Sequence, residues 1–175
     1  MDEKMSDLHF HAMALMFRFR DFIKPRRKIL EEVKIEPGFR ILDYGCGPGG
    51  YVPAAAELAG SSGKVYALDI HPHAIEMVKD LAFKKNLKNV ETILSDCDTG
   101  LPSLSLDLVL FYDTYHALRE PDKILKELYR VLKPGGILSF SDHHMEGEEI
   151  VKKLTEGGLF RLKERGKKTY SFEKN

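Results

Sequence analysis

The chain of 175 residues is predicted to fold as one doubly wound α/β domain with a seven-stranded, mostly parallel sheet. Helices are expected on both faces of this sheet, and an antiparallel hairpin is expected at its C-terminal end. The main observation is that strand-like apolar runs alternate with amphipathic helical stretches along the chain. A second is that residues 106–111 are apolar at nearly every position, as in a strand buried on both faces.

The predicted elements follow from local patterns. Strands are predicted over residues 40–44, 65–68, 90–94, 106–111 and 137–141, with a final pair near 159–164 and 168–173 that turns through Gly166. Helices are predicted over residues 22–34 and 51–58, from Pro72, from Pro121 and near 147–156. Pro72 and Pro121 suit the first helical position, where a missing N–H costs nothing. Leu132 is expected to be the last inward residue of its helix, and Lys133-Pro134-Gly135-Gly136 is expected to end it.

Composition excludes several classes of partner. The 27 Lys and Arg residues balance the 27 Asp and Glu residues, so no global attraction to nucleic acid or to an anionic membrane is expected. Two cysteines, Cys46 and Cys97, do not make a disulfide framework, which predicts a reducing, cytoplasmic setting. No signal peptide is expected, because the first residues carry acids rather than a basic region, and no apolar run reaches the roughly 20 residues that a membrane span needs. Monomer and homodimer both stay open.

The most informative stretch is the glycine-rich bend that follows the first strand. Gly45, Gly47 and Gly50 match the dinucleotide pattern G-x-G-x-x-G, which is weak when it stands alone. Glycines permit positive φ angles and leave room for a ligand, and the amides of the bend are expected to cradle the ligand's polar end. Asp43, two positions before Gly45, would repel a pyrophosphate but suits a ligand with an ammonium and a sulfonium. This charge favours S-adenosylmethionine over a nicotinamide dinucleotide.

Four signals in chain order extend this interpretation. They are Leu42-Asp43-x-Gly45-x-Gly47-x-Gly49, Val65-Tyr66-Ala67-Leu68-Asp69, Ser95-Asp96, and the run from Glu127 to Gly136. From about Lys28 to its C-terminus, the chain resembles the class I (Rossmann-like) S-adenosylmethionine-dependent methyltransferases. Within that class it is most similar to the small-molecule branch that includes quinone and arsenite methyltransferases.

The resemblance implies a set of cofactor contacts. The implied residues are Asp43, Tyr44, Gly45, Cys46, Gly47, Gly49, Asp69, Ile70, Asp96, Cys97 and Tyr112. Asp43 would hold the methionine ammonium, directly or through water, and Asp69 would bind the ribose hydroxyls. Ile70 would lie against the adenine ring, with Asp96 on its amino group and the Cys97 amide on the ring. Taken singly, a strand-ending Asp is often only a turn former, and both cysteines are interpreted as packing residues.

Two acid- and histidine-containing clusters follow strands four and five: Tyr112-Asp113-Thr114-Tyr115-His116 and Ser141-Asp142-His143-His144. The resemblance implies a base here, because matching members often carry a His at or near the position of His116 that can lie between cofactor and acceptor. We therefore predict His116 as the base, with Asp113 and Tyr112 shaping the site. The alternative for His116 is a packed histidine at a helix start. His143 and His144 are interpreted as an exposed loop. The ligand types of the cluster allow a divalent metal, but their spacing matches no metal signature, and no metal is predicted.

The predicted function is methyl transfer to a small-molecule acceptor by in-line displacement, with S-adenosylhomocysteine as product. The alternatives are a non-catalytic S-adenosylmethionine-binding protein or an NAD-dependent oxidoreductase. Only residues 142–147 lie where relatives insert a cap, so residues 8–23 of the N-terminal segment 1–24 are interpreted as a lid. The alternatives are a packing helix, a dimer contact or an interfacial membrane helix, and the last would need more Lys and Arg on its polar face. Residues 25–175 form the methyltransferase domain. The basic stretch 161–168 is interpreted as a solvated strand face, because strand alternation explains it without nucleic acid.

Overall fold

The computed structural model describes residues 26–175. The strands are β1 (Arg40–Tyr44), β2 (Lys64–Asp69), β3 (Val90–Leu94), β4 (Leu106–Tyr112), β5 (Leu132–Ser141), β6 (Phe160–Arg165) and β7 (Tyr170–Lys174). The α-helices are α1 (Arg27–Leu30), α2 (Val52–Ala59), α3 (Pro72–Lys84), α4 (Pro121–Val131) and α5 (Gly147–Thr155). Helices longer than one turn thus separate successive strands as far as β6, except that β3 and β4 are joined by a segment without a helix.

All seven strands form one sheet in the order β3-β2-β1-β4-β5-β7-β6. The first five strands pair in parallel, whereas β7 lies antiparallel between β5 and β6. The predicted fold class is therefore confirmed. Strand order reverses between β1 and β4, and in doubly wound sheets a ligand crevice opens at the carboxyl ends of such strands.

The core lies in two layers, one on each face of the sheet. Leu128 of α4 and Leu154 of α5 belong to one layer, and Val52 of α2 and Val78 of α3 belong to the other. Helix α4 buries Ile124, Leu125, Leu128 and Val131, which are the inward positions that helical spacing predicts. None of the helices in residues 26–175 is long and apolar enough to cross a membrane.

Two predicted boundaries differ from the structure. Within the described residues, the first predicted helix consists of α1 and a 3₁₀ turn over Glu31–Val33, and it ends before Lys34, which has a φ of 47°; residues 22–25 lie outside the described part. Strand β5 begins at Leu132 rather than at 137, because Leu132 pairs with Leu106 instead of continuing the helix. The register then shifts, so that Leu108 pairs with Ile137, and the Pro-Gly-Gly segment forms the irregular stretch between these pairs.

The C-terminal hairpin is held by charged side chains on both sides of its turn. Glu32 Oε2 accepts hydrogen bonds from the amides of Lys168 and Thr169 at 3.1 and 3.0 Å and from the Thr169 hydroxyl at 3.0 Å. On β6, the exposed Arg161 and Lys163 form ion pairs with Glu173 of β7 at 3.0 and 3.4 Å. These pairs support the interpretation of the basic stretch as a solvated strand face.

Candidate cofactor and acceptor site

The glycine-rich bend begins directly after β1, at the point where strand order reverses. Gly45 and Gly47 have φ angles of 74° and 51°, in the left-handed region that favours glycine. A Cβ atom on Gly45 would collide with the Thr114 side chain, whereas a Cβ atom on Gly47 would meet nothing within 4 Å. Gly45 is therefore required for close packing against the loop after β4, and the space beside Gly47 is open to a ligand.

The amides of this bend are already used within the chain. The Gly45 and Cys46 amides both donate to the Leu68 carbonyl at 2.9 Å. The Gly47 amide donates to Asp69 Oδ2, also at 2.9 Å. The predicted cradle of free amides is therefore wrong for these three residues, because strand β2 takes their N–H groups. Carboxylate and carbonyl oxygens are left to meet a ligand here, and oxygens suit a cationic group rather than a phosphate.

Asp43 is the buried acid beneath this bend. Its side chain is 2 % exposed, and Oδ2 has no hydrogen-bond partner among the described residues. Burial raises the pKa of Asp43 to about 7, with nearby Arg26 opposing the rise and Asp69 adding to it. A buried carboxylate oxygen without a donor is costly, and a ligand ammonium would remove that cost. Asp43 thus fits the methionine end of S-adenosylmethionine.

Asp69 both shapes the bend and faces the crevice. Besides the Gly47 amide on Oδ2, its Oδ1 accepts a hydrogen bond from the His71 amide at 2.8 Å. Each carboxylate oxygen still has acceptor capacity for a ribose hydroxyl. Burial raises the pKa of Asp69, although the two amides counteract this effect. Ile70 follows with 38 % of its surface exposed, so an apolar face adjoins the predicted ribose position.

The loop after β3 holds the residues predicted to contact adenine. The Tyr44 hydroxyl donates to the Asp96 carbonyl at 2.7 Å, which ties this loop to the end of β1. The Asp96 side chain is exposed, whereas Cys97 is buried and its amide donates to Ser95 Oγ at 3.3 Å. Burial raises the pKa of the Cys97 thiol, which favours a packing role. The geometry thus brings these residues to the same sheet edge as Asp43 and Asp69.

Three of the residues predicted to contact the cofactor, Cys46, Gly49 and Tyr112, pack against the core. Tyr112 is 5 % exposed, its hydroxyl lies 2.6 Å from Ser139 Oγ, and burial raises its pKa. Cys46 is also buried, and burial raises the pKa of its thiol well above the usual value. A Cβ atom on Gly49 would lie 3.0 and 3.1 Å from side-chain atoms of Val78 and Leu81 of α3. Any ligand contact by Tyr112 must therefore come mainly from its backbone.

Two histidine–aspartate pairs join the loops after β4 and β5. His116 Nδ1 lies 2.9 Å from Asp142 Oδ2 and 3.0 Å from Oδ1. His143 Nδ1 lies 2.9 Å from Asp113 Oδ1. The pairs are crossed, because each loop contributes one acid and one imidazole. The structure therefore places these residues together at one edge of the sheet. His143 and His144 are exposed, as predicted for a loop.

Asp113 has unusual backbone geometry for a residue with a side chain. Its φ is 50°, and strained residues of this kind are frequent at functional sites. Its amide donates to the Ser141 carbonyl at 2.8 Å, and its carboxylate accepts the His143 amide at 3.2 Å. Potential ligand atoms of Asp113, Asp142 and His143 lie within 4.8 Å of one another. We interpret them as hydrogen-bonded pairs, and the prediction of no metal stays a prediction.

Sequence reasoning missed three contributors to this site. Thr114 packs on Gly45, but no sequence signal identifies a threonine for that task. The sequence places Asp142 beside the two histidines after β5, at the correct edge of the sheet, but does not identify it as the partner of His116. Arg26 lies with its guanidinium 4.3 Å from the centre of the Tyr51 ring and also acts on Asp43.

Three features define the class I S-adenosylmethionine-dependent methyltransferase fold here. They are a doubly wound sheet with this strand order, a buried acid before a glycine bend, and a second acid at the end of β2. A family model described as "Methyltransferase domain" matches residues 35–173. The chain therefore belongs to this methyltransferase family, and the predicted resemblance and cofactor are confirmed. Neither the NAD-dependent oxidoreductase nor the non-catalytic alternative finds support.

Two of the sequence relatives are methyltransferases named for different small molecules. The chain is 30 % identical over 130 residues to a demethylmenaquinone methyltransferase of Geobacillus stearothermophilus, covering 74 % of this chain and 56 % of the relative. It is 35 % identical over 126 residues to the aklanonic acid methyltransferase DauC of Streptomyces sp. (strain C5), covering 69 % and 56 %. The chain thus spans slightly more than half the length of these relatives.

Solved structures agree with this assignment. A SAM-dependent methyltransferase from Aquifex aeolicus is 29 % identical, with a TM-score of 0.76, and the match covers 92 % of this chain and 97 % of that one. An arsenic (III) S-adenosylmethionine methyltransferase from Chlamydomonas reinhardtii is 32 % identical, with a TM-score of 0.57, over 62 % and 40 % of the chains. The predicted division at residues 24 and 25 stays a prediction, since residues 1–25 lie outside the described part.

Proposed function

We propose that this chain transfers a methyl group from S-adenosylmethionine to a small-molecule acceptor. The observation that carries this proposal is the unpartnered, buried Oδ2 of Asp43 beneath a bend that offers oxygens and open space. A nicotinamide dinucleotide would bring a pyrophosphate to the same position, where Asp43 would repel it and the amides of residues 45–47 are already used.

Four features of the chain would hold the cofactor. Asp43 would receive the ammonium, and the open face of Gly47 would admit the methionine chain. Asp69 would accept the ribose hydroxyls with the capacity left beside its two amide donors. Ile70 would cover one face of adenine, with Asp96 and the Cys97 amide at the ring edge. Tyr44, Gly45, Cys46, Gly49 and Tyr112 would shape the walls.

The chemistry asks little of the protein. When bound, S-adenosylmethionine supplies an electrophilic methyl group on a sulfonium. The chain's task is to align an acceptor with that methyl group in an in-line arrangement, which lowers the entropic part of the barrier. His116 is our proposed base for acceptors that must lose a proton, and Asp113 shapes the same loop. Thr114 contacts Gly45, so this loop lies directly against the cofactor bend.

The nature of the acceptor is supported by the relatives and by charge. The relatives are named for demethylmenaquinone and aklanonic acid, both small molecules. The chain has no net charge that would attract nucleic acid. We propose cytoplasmic action, because both cysteines are free, which suits a reducing setting. Monomer and homodimer both stay open. Residues 1–24 are proposed to complete the acceptor pocket as a lid.

Incubation of the purified chain with methyl-radiolabelled S-adenosylmethionine and a broad acceptor panel tests this function. We expect binding of S-adenosylhomocysteine by calorimetry and transfer of label to at least one small acceptor. Asp43→Asn should weaken S-adenosylhomocysteine binding, because the ammonium loses its anionic partner. The proposal fails if the chain binds NADH but not S-adenosylhomocysteine, or if no label leaves the cofactor for any acceptor in the panel.

A further inference from the structure

We propose that Asp142 is a positioning residue that fixes His116 with Nδ1 protonated and Nε2 free, so that the site is built for an acceptor carrying a phenolic or enolic hydroxyl. The inference rests on the proposed function and names the class of acceptor for that same site. Asp142 was not among the predicted catalytic residues, and its assignment comes from its contacts alone.

The first argument is the geometry of the carboxylate. The Asp142 side chain has no exposed surface, whereas the His116 side chain is 33 % exposed. Both carboxylate oxygens lie within 3.0 Å of His116 Nδ1. The amides of His116 and His144 also donate to them, at 3.1 and 3.0 Å. Four contacts thus hold one carboxylate in place, and it holds the imidazole in turn.

The second argument concerns protons. A carboxylate only accepts hydrogen bonds when ionised, so Nδ1 must carry the proton in this pair. Burial acts to raise the pKa of Asp142, but the hydrogen bonds from His116 and the two amides outweigh it and leave that pKa below its usual value. Asp142 is therefore anionic at neutral pH. On the neutral ring Nε2 is unprotonated, and no residue in 26–175 hydrogen-bonds it.

The third argument is the surroundings of the ring. The His144 ring centre lies 4.1 Å from that of His116, and the His143 ring centre lies 5.8 Å away. His143 is itself paired with Asp113. His116 thus lies against Asp142 and His144, and the His143–Asp113 pair lies beside them. A proton taken up at Nε2 forms an imidazolium that Asp142 stabilises, as in the histidine–aspartate pairs of hydrolases.

This arrangement selects among acceptors by their need to lose a proton. A carboxylate acceptor is already ionised near neutrality, and an arsenite-like acceptor is nucleophilic without a base. A phenol or enol is a poor nucleophile until its hydroxyl proton leaves. In the proposed step the O–H bond breaks as the proton passes to His116 Nε2, and the acceptor oxygen bonds to the methyl carbon. The carbon–sulfur bond breaks, its electron pair stays on sulfur, and His116 later releases the proton to solvent.

The test combines a tautomer measurement with kinetics on Asp142→Asn. In the wild type, long-range ¹H–¹⁵N NMR should show His116 protonated on Nδ1 and not on Nε2 at a pH where the ring is neutral. With catechol and 4-hydroxycoumarin as hydroxyl probes and benzoate and arsenite as the others, we expect labelled product from the hydroxyl probes only. Asp142→Asn should lower kcat by roughly 10²- to 10⁴-fold and change its pH profile, with KM nearly unchanged.

Controls separate this inference from loss of fold and from failure of the proposed function. Asp107→Asn alters another half-buried acid that accepts a backbone amide, at 2.8 Å from Arg40 N, and pairs with Lys133 at the far end of β4. It should change neither the tautomer nor kcat, and both variants should bind S-adenosylhomocysteine like the wild type. An Nε2-protonated neutral His116 in the wild type overturns the inference. So does unchanged kcat in Asp142→Asn, or methylation confined to benzoate or arsenite. Loss of all cofactor binding would instead refute the proposed function.

Discussion

Asp43 should make cofactor binding depend on pH in a way that can be calculated. Burial raises its pKa to about 7 in the ligand-free chain, and its Oδ2 has no partner among the described residues. A ligand ammonium binds the ionised form only, so binding at lower pH must first expel a proton. With a pKa of about 7, the ionised fraction is about 0.09 at pH 6 and about 0.76 at pH 7.5. Affinity for S-adenosylhomocysteine should therefore fall by about eightfold between pH 7.5 and pH 6.

Titration calorimetry in buffers of different ionisation enthalpy measures this effect directly. The same fractions predict release of about 0.9 proton per ligand bound at pH 6 and about 0.25 proton at pH 7.5. Asp43→Asn is the matched variant, because it keeps the shape of the side chain and removes the titration. Its affinity should be lower at pH 7.5 and nearly independent of pH. Release of less than about 0.2 proton at pH 6 by the wild type would refute the assignment of Asp43 to the ammonium.

Three further outcomes are expected. The pKa of Asp43 rises on folding from 3.8 to about 7, so the folded chain binds the proton more tightly than the unfolded chain. The free energy of unfolding should therefore fall by up to about 4 kcal/mol as pH rises from about 4 to about 7. A series of Tm measurements against pH should show this fall in the wild type and not in Asp43→Asn. Gly47→Ala should weaken S-adenosylhomocysteine binding in calorimetry, whereas the control Gly100→Ala, which has a similar φ and equally open space, should not. Of these three glycine variants, Gly45→Ala should lower Tm most, because its Cβ atom would collide with Thr114. Glu32→Ala should lower the free energy of unfolding in urea by about 1–3 kcal/mol, because it leaves the buried amide and hydroxyl donors of Thr169 without an acceptor. Glu31 is exposed, so Glu31→Ala should have little effect.

The fold was predictable because its signals are periodic and local. Helix α4 places apolar residues at helical spacing, and β4 is almost continuously apolar, so neither has a competing interpretation. The end of α4 was less predictable. Pro134 and Gly135 indicate that the helix ends before them, but they do not indicate that Leu132 already pairs with β4. That pairing depends on the partner strand, which no local window contains.

The site was predictable as far as strand ends determine it. Asp43, Asp69 and Asp96 all follow from the rule that ligand-binding residues gather at the carboxyl ends of parallel strands. The contacts that give each residue its role were not predictable. Asp69 accepts the Gly47 amide, and Asp142 rather than Asp113 holds His116. These are tertiary distances, so the sequence alone cannot distinguish a free amide from a used one.

The crossed pairing between the loops after β4 and β5 has a thermodynamic consequence. Asp142 lies on one loop and serves His116 on the other, while Asp113 and His143 repeat the exchange in the opposite direction. Neither loop can order its own imidazole without the other, so the two should settle cooperatively rather than one after the other. Substitutions in the two pairs should accordingly be non-additive in a double-mutant cycle, even though each alters a different contact. The loops after β4 and β5, which form the acceptor side of the crevice, would then become ordered or disordered together.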